Sequence, residues 1–243
     1  MKYKSIFLSD IHLGTKFSKA EIFLDFLKKV ESENIFLIGD IIDGWAIKRK
    51  FKWPQSHSDV IQKLLRASRK GVNIYYIIGN HDDFLRPFVP LMLGDRIQIV
   101  NELEYISLKK KRYYIVHGDF FDSITMTKKW LAHLGDIGYD LLLNINVVFS
   151  YIRQKIGYKK YWSLSKYVKD NVKQSVNFIN HYENILSEYA HKNKYDGVIC
   201  GHIHKAEIKM VDTIEYMNSG DWVESCTVLV ERFDGEFEII HWQ

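Results

Sequence analysis

At 243 residues and 47% hydrophobic content, the chain is long enough for one α/β domain with a sizeable core, or for one domain carrying a substantial insertion. Two cysteines, Cys200 and Cys226, are too few for a disulfide framework and read as buried free thiols in apolar, strand-like surroundings. The formal charge of +4 is unevenly spread: Ser123 to Ala190 carries nine Lys/Arg against five acids, and the rest of the chain is neutral.

Met1 to Lys4 leads straight into an apolar strand rather than into the longer hydrophobic region and cleavage site of a signal peptide, which predicts a cytoplasmic protein. The strand runs from Tyr3 to Ser9. An amphipathic helix over 19–31 follows, with Ile22, Phe23, Phe26, Leu27 and Val30 at helical spacing. The apolar run that begins at Ile35 stops abruptly at Gly39 and Asp40, which reads as a buried strand delivering Asp40 to a sheet edge. Residues 44–54 are irregular in pattern, with two tryptophans and the basic residues Lys48, Arg49, Lys50 and Lys52. A second crossover helix over 56–70 and a third strand over 73–78 complete a strand–helix–strand alternation that argues for a parallel sheet core.

From Arg96 the pattern changes to short, closely spaced strands at 97–100, 104–108 and 113–117, which predict hairpins in place of crossovers. The same style returns at 207–211, 214–217, 226–232 and 236–242, the last pair joined by an Asp234-Gly235 turn. A two-layered β core with helices outside accommodates both halves. Between them, 125–190 is helical in pattern and reads as an inserted cap, although 164–189 also suits a crossover helix leading into Gly197. The longest apolar-rich run, 139–152, is shorter than the ~18 residues of a membrane span and is interrupted by Asp140, Asn144 and Asn146, so no transmembrane helix is predicted.

The chemistry gathers just past the apolar runs, at Asp10 and His12, Asp40 and Asp43, Asn80 to Asp82, His117 and Asp119, and His202 and His204. If the strands are neighbours these tips converge, because ligands of open α/β sheets bind outside the carboxyl ends of the strands. Neutral imidazoles with carboxylates suit Mn²⁺, Fe or Zn²⁺ better than Mg²⁺, and the absence of cysteine disfavours a structural zinc site. The potential ligands besides His81 are too many for one ion and adequate for two that share a carboxylate. Each motif alone is weak, but all of them in order, each after an apolar strand, leave little room for coincidence.

The motifs Asp10-x-His12, Gly39-Asp40-x-x-Asp43, Gly79-Asn80-His81-Asp82, His117 and Gly201-His202-x-His204 resemble those of the calcineurin-like metallophosphoesterases. That resemblance implies a four-layer α-β-β-α sandwich formed by a single domain, 1–243, with a helical cap insertion at about 123–190. It also implies two divalent metal ions, Mn²⁺ before Fe or Zn²⁺. Asp10, His12, Asp40 and His204 would hold one, Asp40, Asn80, His117 and His202 the other, with Asp40 as the bridge. His81 would act beside them as a non-ligand that stabilises the transition state or protonates the leaving oxygen, oriented by Asp43.

A closer resemblance, over nearly the whole chain, is to the bacterial UDP-2,3-diacylglucosamine pyrophosphohydrolase branch of that family, which serves lipid A synthesis. It rests on His117-Gly-Asp119, Tyr161-Trp-Ser-Leu-Ser165 and Asn218-Ser-Gly-Asp-Trp222. The lipid A enzymes carry Arg after the Asn of the third motif, whereas this chain has His81, as general phosphoesterases do. The implied activity is hydrolysis of a phosphodiester or pyrophosphate in an amphiphilic substrate, with Asn80, Arg86 and Trp222 contacting it and Asp82, Asp83 and Glu224 lining the mouth. A general phosphodiesterase or a nuclease is the alternative, and no long basic groove with an appended domain supports nucleic acid as a partner. A non-catalytic scaffold would have no chemical need for both His81 and a complete ligand set. Within the insertion, Leu141 to Ile152 beside Lys128, Lys129, Arg153, Lys155, Lys159 and Lys160 reads either as core packing or as a cover for acyl chains that rests on an anionic membrane face.

Overall fold

The computed structural model describes residues 1–121 and 165–243, without the side chains of 165–177. It divides into two compact units, one formed by Met1–Asp119 with Glu183–Gln243 and the other by Phe120–Tyr182. Of the second unit, the described residues are Phe120, Phe121 and the first part of the helix Ser165–Lys192; most of the expected insertion, with its apolar run and lysines, lies outside the described residues.

The first unit contains strands β1 (Lys2–Leu8), β2 (Glu31–Ile38), β3 (Asn73–Ile77), β4 (Leu91–Leu93), β5 (Ile97–Val100), β6 (Glu102–Ile106), β7 (Arg112–Val116), β8 (Gly197–Cys200), β9 (Glu207–Val211), β10 (Ile214–Asn218), β11 (Thr227–Glu231) and β12 (Phe237–His241). One sheet has seven strands in the order β12-β11-β1-β2-β3-β5-β4, and the other has five in the order β6-β7-β8-β10-β9. The expected parallel core is present, since β1, β2, β3 and β5 run parallel in register.

Alternation along these strands builds two cores at once. Ile6 and Leu8, Ile35 and Leu37, and Ile74 and Tyr76 face an outer core shared with Phe23, Phe26, Val60 and Leu64 of helices α1 (Ala20–Lys29) and α3 (Gln55–Arg69). Phe7, Phe36, Ile38 and Ile77 face the opposite way and meet Tyr105, Tyr113, Ile115, Ile199 and Met217 of the second sheet. Phe36 stacks between Phe7 and Tyr75 at 4.7 Å on each side, a ladder across three neighbouring strands. On the outer face of the second sheet, the end of helix α4 (Ser165–Lys192) brings Tyr189 to 5.0 Å from Tyr114, and Glu183 pairs with Lys209 at 2.6 Å. Helix, sheet, sheet and helix make the four expected layers.

Three expectations need correction. Helix α1 stops at Lys29, because Val30 is extended and Glu31 pairs with Lys2 at the start of β2. Within 44–54 a short helix, α2 (Gly44–Arg49), is capped by Asp43, whose Oδ1 accepts from the Ala46 N–H at 2.6 Å. Strands 97–100 and 104–108 do not form a hairpin: β5 pairs in parallel with β3, and after Asn101 the chain enters the other sheet as β6. Both cysteines are buried thiols that form no disulfide, as expected.

Candidate metal centre

The tips of β1 and β2 continue side by side beyond the last ladder residues. The Asp10 N–H donates to Gly39 O at 3.1 Å, the His12 N–H to Asp40 O at 2.8 Å and the Asp43 N–H to Leu13 O at 2.8 Å. This pairing places Asp10, His12, Asp40 and Asp43 together although 33 residues separate the first from the last in the numbering. The other tips are tied in by the carboxylates themselves: Asp40 Oδ1 accepts from the His81 N–H at 2.9 Å, and Asp10 Oδ2 from the His202 N–H at 3.0 Å. Each carboxylate thus closes the loop of a neighbouring strand while its second oxygen stays at the centre.

The backbone is strained where the chemistry is. Asp10, His12, Asp40, His202 and His204 all have φ between 50° and 71°, the left-handed region that non-glycine residues seldom occupy. Close approach explains two adjoining glycines. A Cβ on Gly39 would lie 2.3 Å from the His117 ring, and one on Gly79 would lie 2.3 Å from Asp40 Oδ1.

Around Asp40 Oδ2 stand His117 Nε2 at 3.3 Å, His12 Nε2 at 3.8 Å and His81 Nε2 at 3.9 Å. Asp10 Oδ1 has His204 Nε2 at 3.1 Å and His12 Nε2 at 3.9 Å. Among the described residues three groups of side-chain donors, Asp10 with His12 and His204, Asp40 with His117 and His202, and His12 with Asp43 and His81, each have their donor atoms within 4.8 Å of one another. His117 Nδ1 is 2.9 Å from Ile38 O; a carbonyl only accepts, so Nδ1 carries the hydrogen and Nε2 is the nitrogen turned toward Asp40.

Asp43 has a separate place. Its Oδ2 is 3.0 Å from His81 Nδ1 and 3.2 Å from His12 Nδ1, so one carboxylate aligns both rings, which meet edge to face at 4.6 Å. Trp45, on α2, lies against His81 at 4.3 Å between ring centres. Nothing in the local sequence singles out Trp45 except its position two residues after Asp43.

Electrostatics favour positive charge throughout. Burial raises the Asp10 carboxyl, but the charge and hydrogen bond of His204 outweigh it and hold it at about 2. Asp40 lies well below the ordinary carboxylate value: burial opposes ionisation, and His117 followed by His81 and His12 overcomes it. In return, burial lowers the His204 and His117 imidazoles, but Asp10 raises the first to about 8 and Asp40 lifts the second well above its usual value. A field that retains protons on imidazoles also draws a metal cation into their place. Asn80 Oδ1 is buried and accepts no hydrogen bond, leaving an oxygen donor for such an ion. The mixed N/O donor set and the orienting bond on His117 fit divalent metal ions.

Several predicted mouth residues serve as scaffold instead. Trp222 is fully buried against Phe23 and Phe26 at 4.7 and 5.3 Å, because its backbone N–H donates to Asp10 O and turns the ring into the outer core. It therefore offers no surface to substrate. Asp82 is also buried: its oxygens accept from Gly79 N–H, Ile41 N–H and Tyr76 Oη at 2.6, 2.9 and 2.7 Å, locking the β2 and β3 tips together. Asp83 and Glu224 are exposed. Arg86 is engaged with Asp119, Gly79 and Asn101. Asn218 and Asp221 underpin the centre as well: Asn218 Nδ2 donates to Gly201 O at 2.7 Å, and Asp221 Oδ1 accepts from the N–H groups of Val223, Glu224 and Ser225.

Residues 3–206 match the model of the calcineurin-like phosphoesterase family. The UDP-2,3-diacylglucosamine hydrolase of Histophilus somni is 24% identical over 247 aligned positions, covering 96% of this chain and 97% of that one. The protein of the same name from Blochmanniella pennsylvanica is 25% identical, covering 85% and 81%. Among solved structures, a hypothetical protein from Pyrococcus horikoshii shares the fold with a TM-score of 0.51 at 12% identity, covering 100% of this chain and 88% of that one. With the two-sheet sandwich, the convergent strand tips and a family match that takes in every one of the clustered histidines and carboxylates, the chain is an enzyme of the calcineurin-like phosphoesterase family.

Proposed function

We propose that this enzyme hydrolyses a phosphodiester or pyrophosphate bond of an amphiphilic, UDP-2,3-diacylglucosamine-like substrate. The observation that carries the proposal is the adjacency of the Asp10 and Asp40 donor groups, with His12 of the first 3.8 Å from Asp40 of the second, together with similarity to UDP-2,3-diacylglucosamine hydrolases along almost the whole chain. Asp10, His12, Asp40 and His204 would hold one divalent ion and Asp40, Asn80, His117 and His202 a second, with Mn²⁺ the first choice. When bound, the pair supplies charge for the phosphoryl oxygens and activates water as the nucleophile.

The protein's own groups do the rest. The Asp43 carboxylate at His81 Nδ1 keeps a hydrogen on that nitrogen and turns Nε2 toward the centre, where it can deliver a proton to the leaving oxygen. Trp45 covers one face of the His81 ring and limits water there. The apolar insertion with its excess lysines supports a substrate carrying acyl chains and contact with an anionic membrane face; among the described residues no helix is long and apolar enough to cross a membrane.

Hydrolysis of bis(p-nitrophenyl) phosphate with Mn²⁺ tests the chemistry, and a parallel screen of UDP-diacylglucosamine, simpler nucleotide diphosphates and cyclic nucleotides tests the substrate. Release of UMP from the diacylated substrate at far higher kcat/KM than from the others is expected. His81, in the place of the arginine of the lipid A enzymes, favours a second reading as a broader phosphodiesterase, and preference for the cyclic or simple esters would establish it. Salt-sensitive sedimentation with vesicles containing anionic lipid would support the membrane contact.

A further inference from the structure

The donor set is divided between the two sheets. Asp10, His12, Asp40 and Asn80 follow β1, β2 and β3 of the first sheet, whereas His117, His202 and His204 follow β7 and β8 of the second. Asp40 with Asn80 on one side and His117 with His202 on the other can converge on one ion only if the sheet tips keep their separation. At that seam the covalent link is short: Asn101 alone joins β5 of the first sheet to β6 of the second.

Arg86 sits across this seam. It belongs to the 3₁₀ turn Asp83–Phe88 that follows the β3 tip. Its Nη2 donates to Gly79 O at 3.3 Å, next to Asn80, and to Asp119 Oδ2 at 2.6 Å, two residues after His117. Its Nη1 donates to Asn101 Oδ1 at 3.1 Å, at the crossover itself. One planar guanidinium therefore grips the first sheet's tip, the second sheet's tip and the link between them. A forked cation suits this task better than a lysine, because the acceptors are reached from two separate nitrogens, which a single ammonium cannot supply. The Arg86 side chain is 35% exposed and that of Asp119 16%, so the pair is reachable by solvent and its value lies in geometry more than in buried charge.

We propose that Arg86 is a positioning residue, with Asp119 its partner, that sets the spacing of the second-ion donors Asn80 and His117 across the inter-sheet seam. The proposal rests on the two-ion reading above. It assigns to Arg86 a task other than contact with a substrate phosphate, and it predicts a defect in metal binding in place of a defect in substrate binding.

The test measures Mn²⁺ stoichiometry and half-saturation by equilibrium dialysis with elemental analysis, on the full chain, for wild type, Arg86→Ala, Arg86→Lys, Asp119→Asn and the Arg86→Ala/Asp119→Asn double variant. Steady-state hydrolysis of bis(p-nitrophenyl) phosphate is followed over a range of Mn²⁺ concentrations. Wild type is expected to bind two ions. Arg86→Ala should keep one and need about 10–100-fold more Mn²⁺ for the other, the usual range for groups that orient metal ligands. Its kcat should recover at high Mn²⁺ with KM unchanged, Arg86→Lys should recover only part of the affinity, and the double variant should be no worse than either single one. Asp119→Asn keeps the shape of the side chain and reads the same defect if Arg86→Ala folds poorly. Two ions bound by Arg86→Ala at the wild-type half-saturation would overturn the proposal, and a raised KM that excess Mn²⁺ does not restore would give Arg86 to the substrate. Fewer than two ions on wild type would instead remove the two-ion reading itself.

Discussion

Asp40 is the residue on which most of the centre depends, since one oxygen receives the His81 N–H and the other faces three imidazoles. Asp40→Asn keeps the shape but removes the charge that offsets those rings, and bound metal and activity should fall together; two ions retained in elemental analysis would argue against the bridging place. On the proposed reading, His81 separates chemistry from binding. His81→Ala should lower turnover by roughly 10²–10⁴-fold with both metals retained, as expected on loss of a positioned acid, and loss of an ion would make His81 a ligand. Asp43 joins the ring orientation to local structure through its cap on α2. Asp43→Asn still caps the helix, because asparagine and aspartate are about equal there, so it should lower turnover with little change in thermal stability, whereas Asp43→Ala should also cost about 1 kcal/mol. Equal loss of stability in the two variants would mean that the charge of Asp43 supports the fold more than the cap does.

At the scale of the elements, the inter-sheet layer is held by aromatic packing and by one buried acid. Phe36 is 1% exposed within its three-strand stack, so Phe36→Ala should cost about 3–5 kcal/mol in denaturant unfolding. Glu231, fully buried at the end of β11, accepts from the Tyr105 hydroxyl and from the Leu108 N–H, and Tyr105 also meets Ser5 at 2.7 Å. These bonds tie β11 and β1 of one sheet to β6 of the other at the end remote from the metal centre. Trp222 is an element-scale residue too: packed between α1 and the strand that carries Asp10, it stabilises the β1 tip from behind. Trp222→Phe should lower the melting temperature and leave KM unchanged, and a selective rise in KM would restore it to the substrate surface.

For the whole molecule, burial of carboxylates among imidazoles makes metal binding part of the folding equilibrium, because ions that bind only the native chain stabilise it by mass action. Chelation should lower the melting temperature, and Mn²⁺ at about 100 times its Kd should restore roughly 2.7 kcal/mol for each independent site. A calorimetric scan unchanged by chelator and by added Mn²⁺ would indicate that the donors hold no ion under those conditions. Because the donors are shared between two sheets, the gain should appear as one cooperative transition of the unit Met1–Asp119 with Glu183–Gln243.

Five of the chain's apolar runs, those followed closely by Asp10, Asp40, Asn80, His117 and His202, determined the strand tips, the parallel core and the candidate ligands. The reason is local: strand alternation and a sudden change to polar residues are properties of neighbours in sequence. Boundaries such as Lys29–Glu31 and the passage of β5 and β6 into different sheets depended on pairing with distant strands, which no local pattern carries. The same holds for direction. Trp222 and Asp82 lie in polar, motif-like stretches, yet the first is turned into the core by its backbone bond to Asp10 and the second by three donors from the β2 and β3 tips. Proximity to the centre was legible in the residue order; which side chains point into it, and which hold it from behind, was decided by the tertiary hydrogen bonds that each buried polar group had to find.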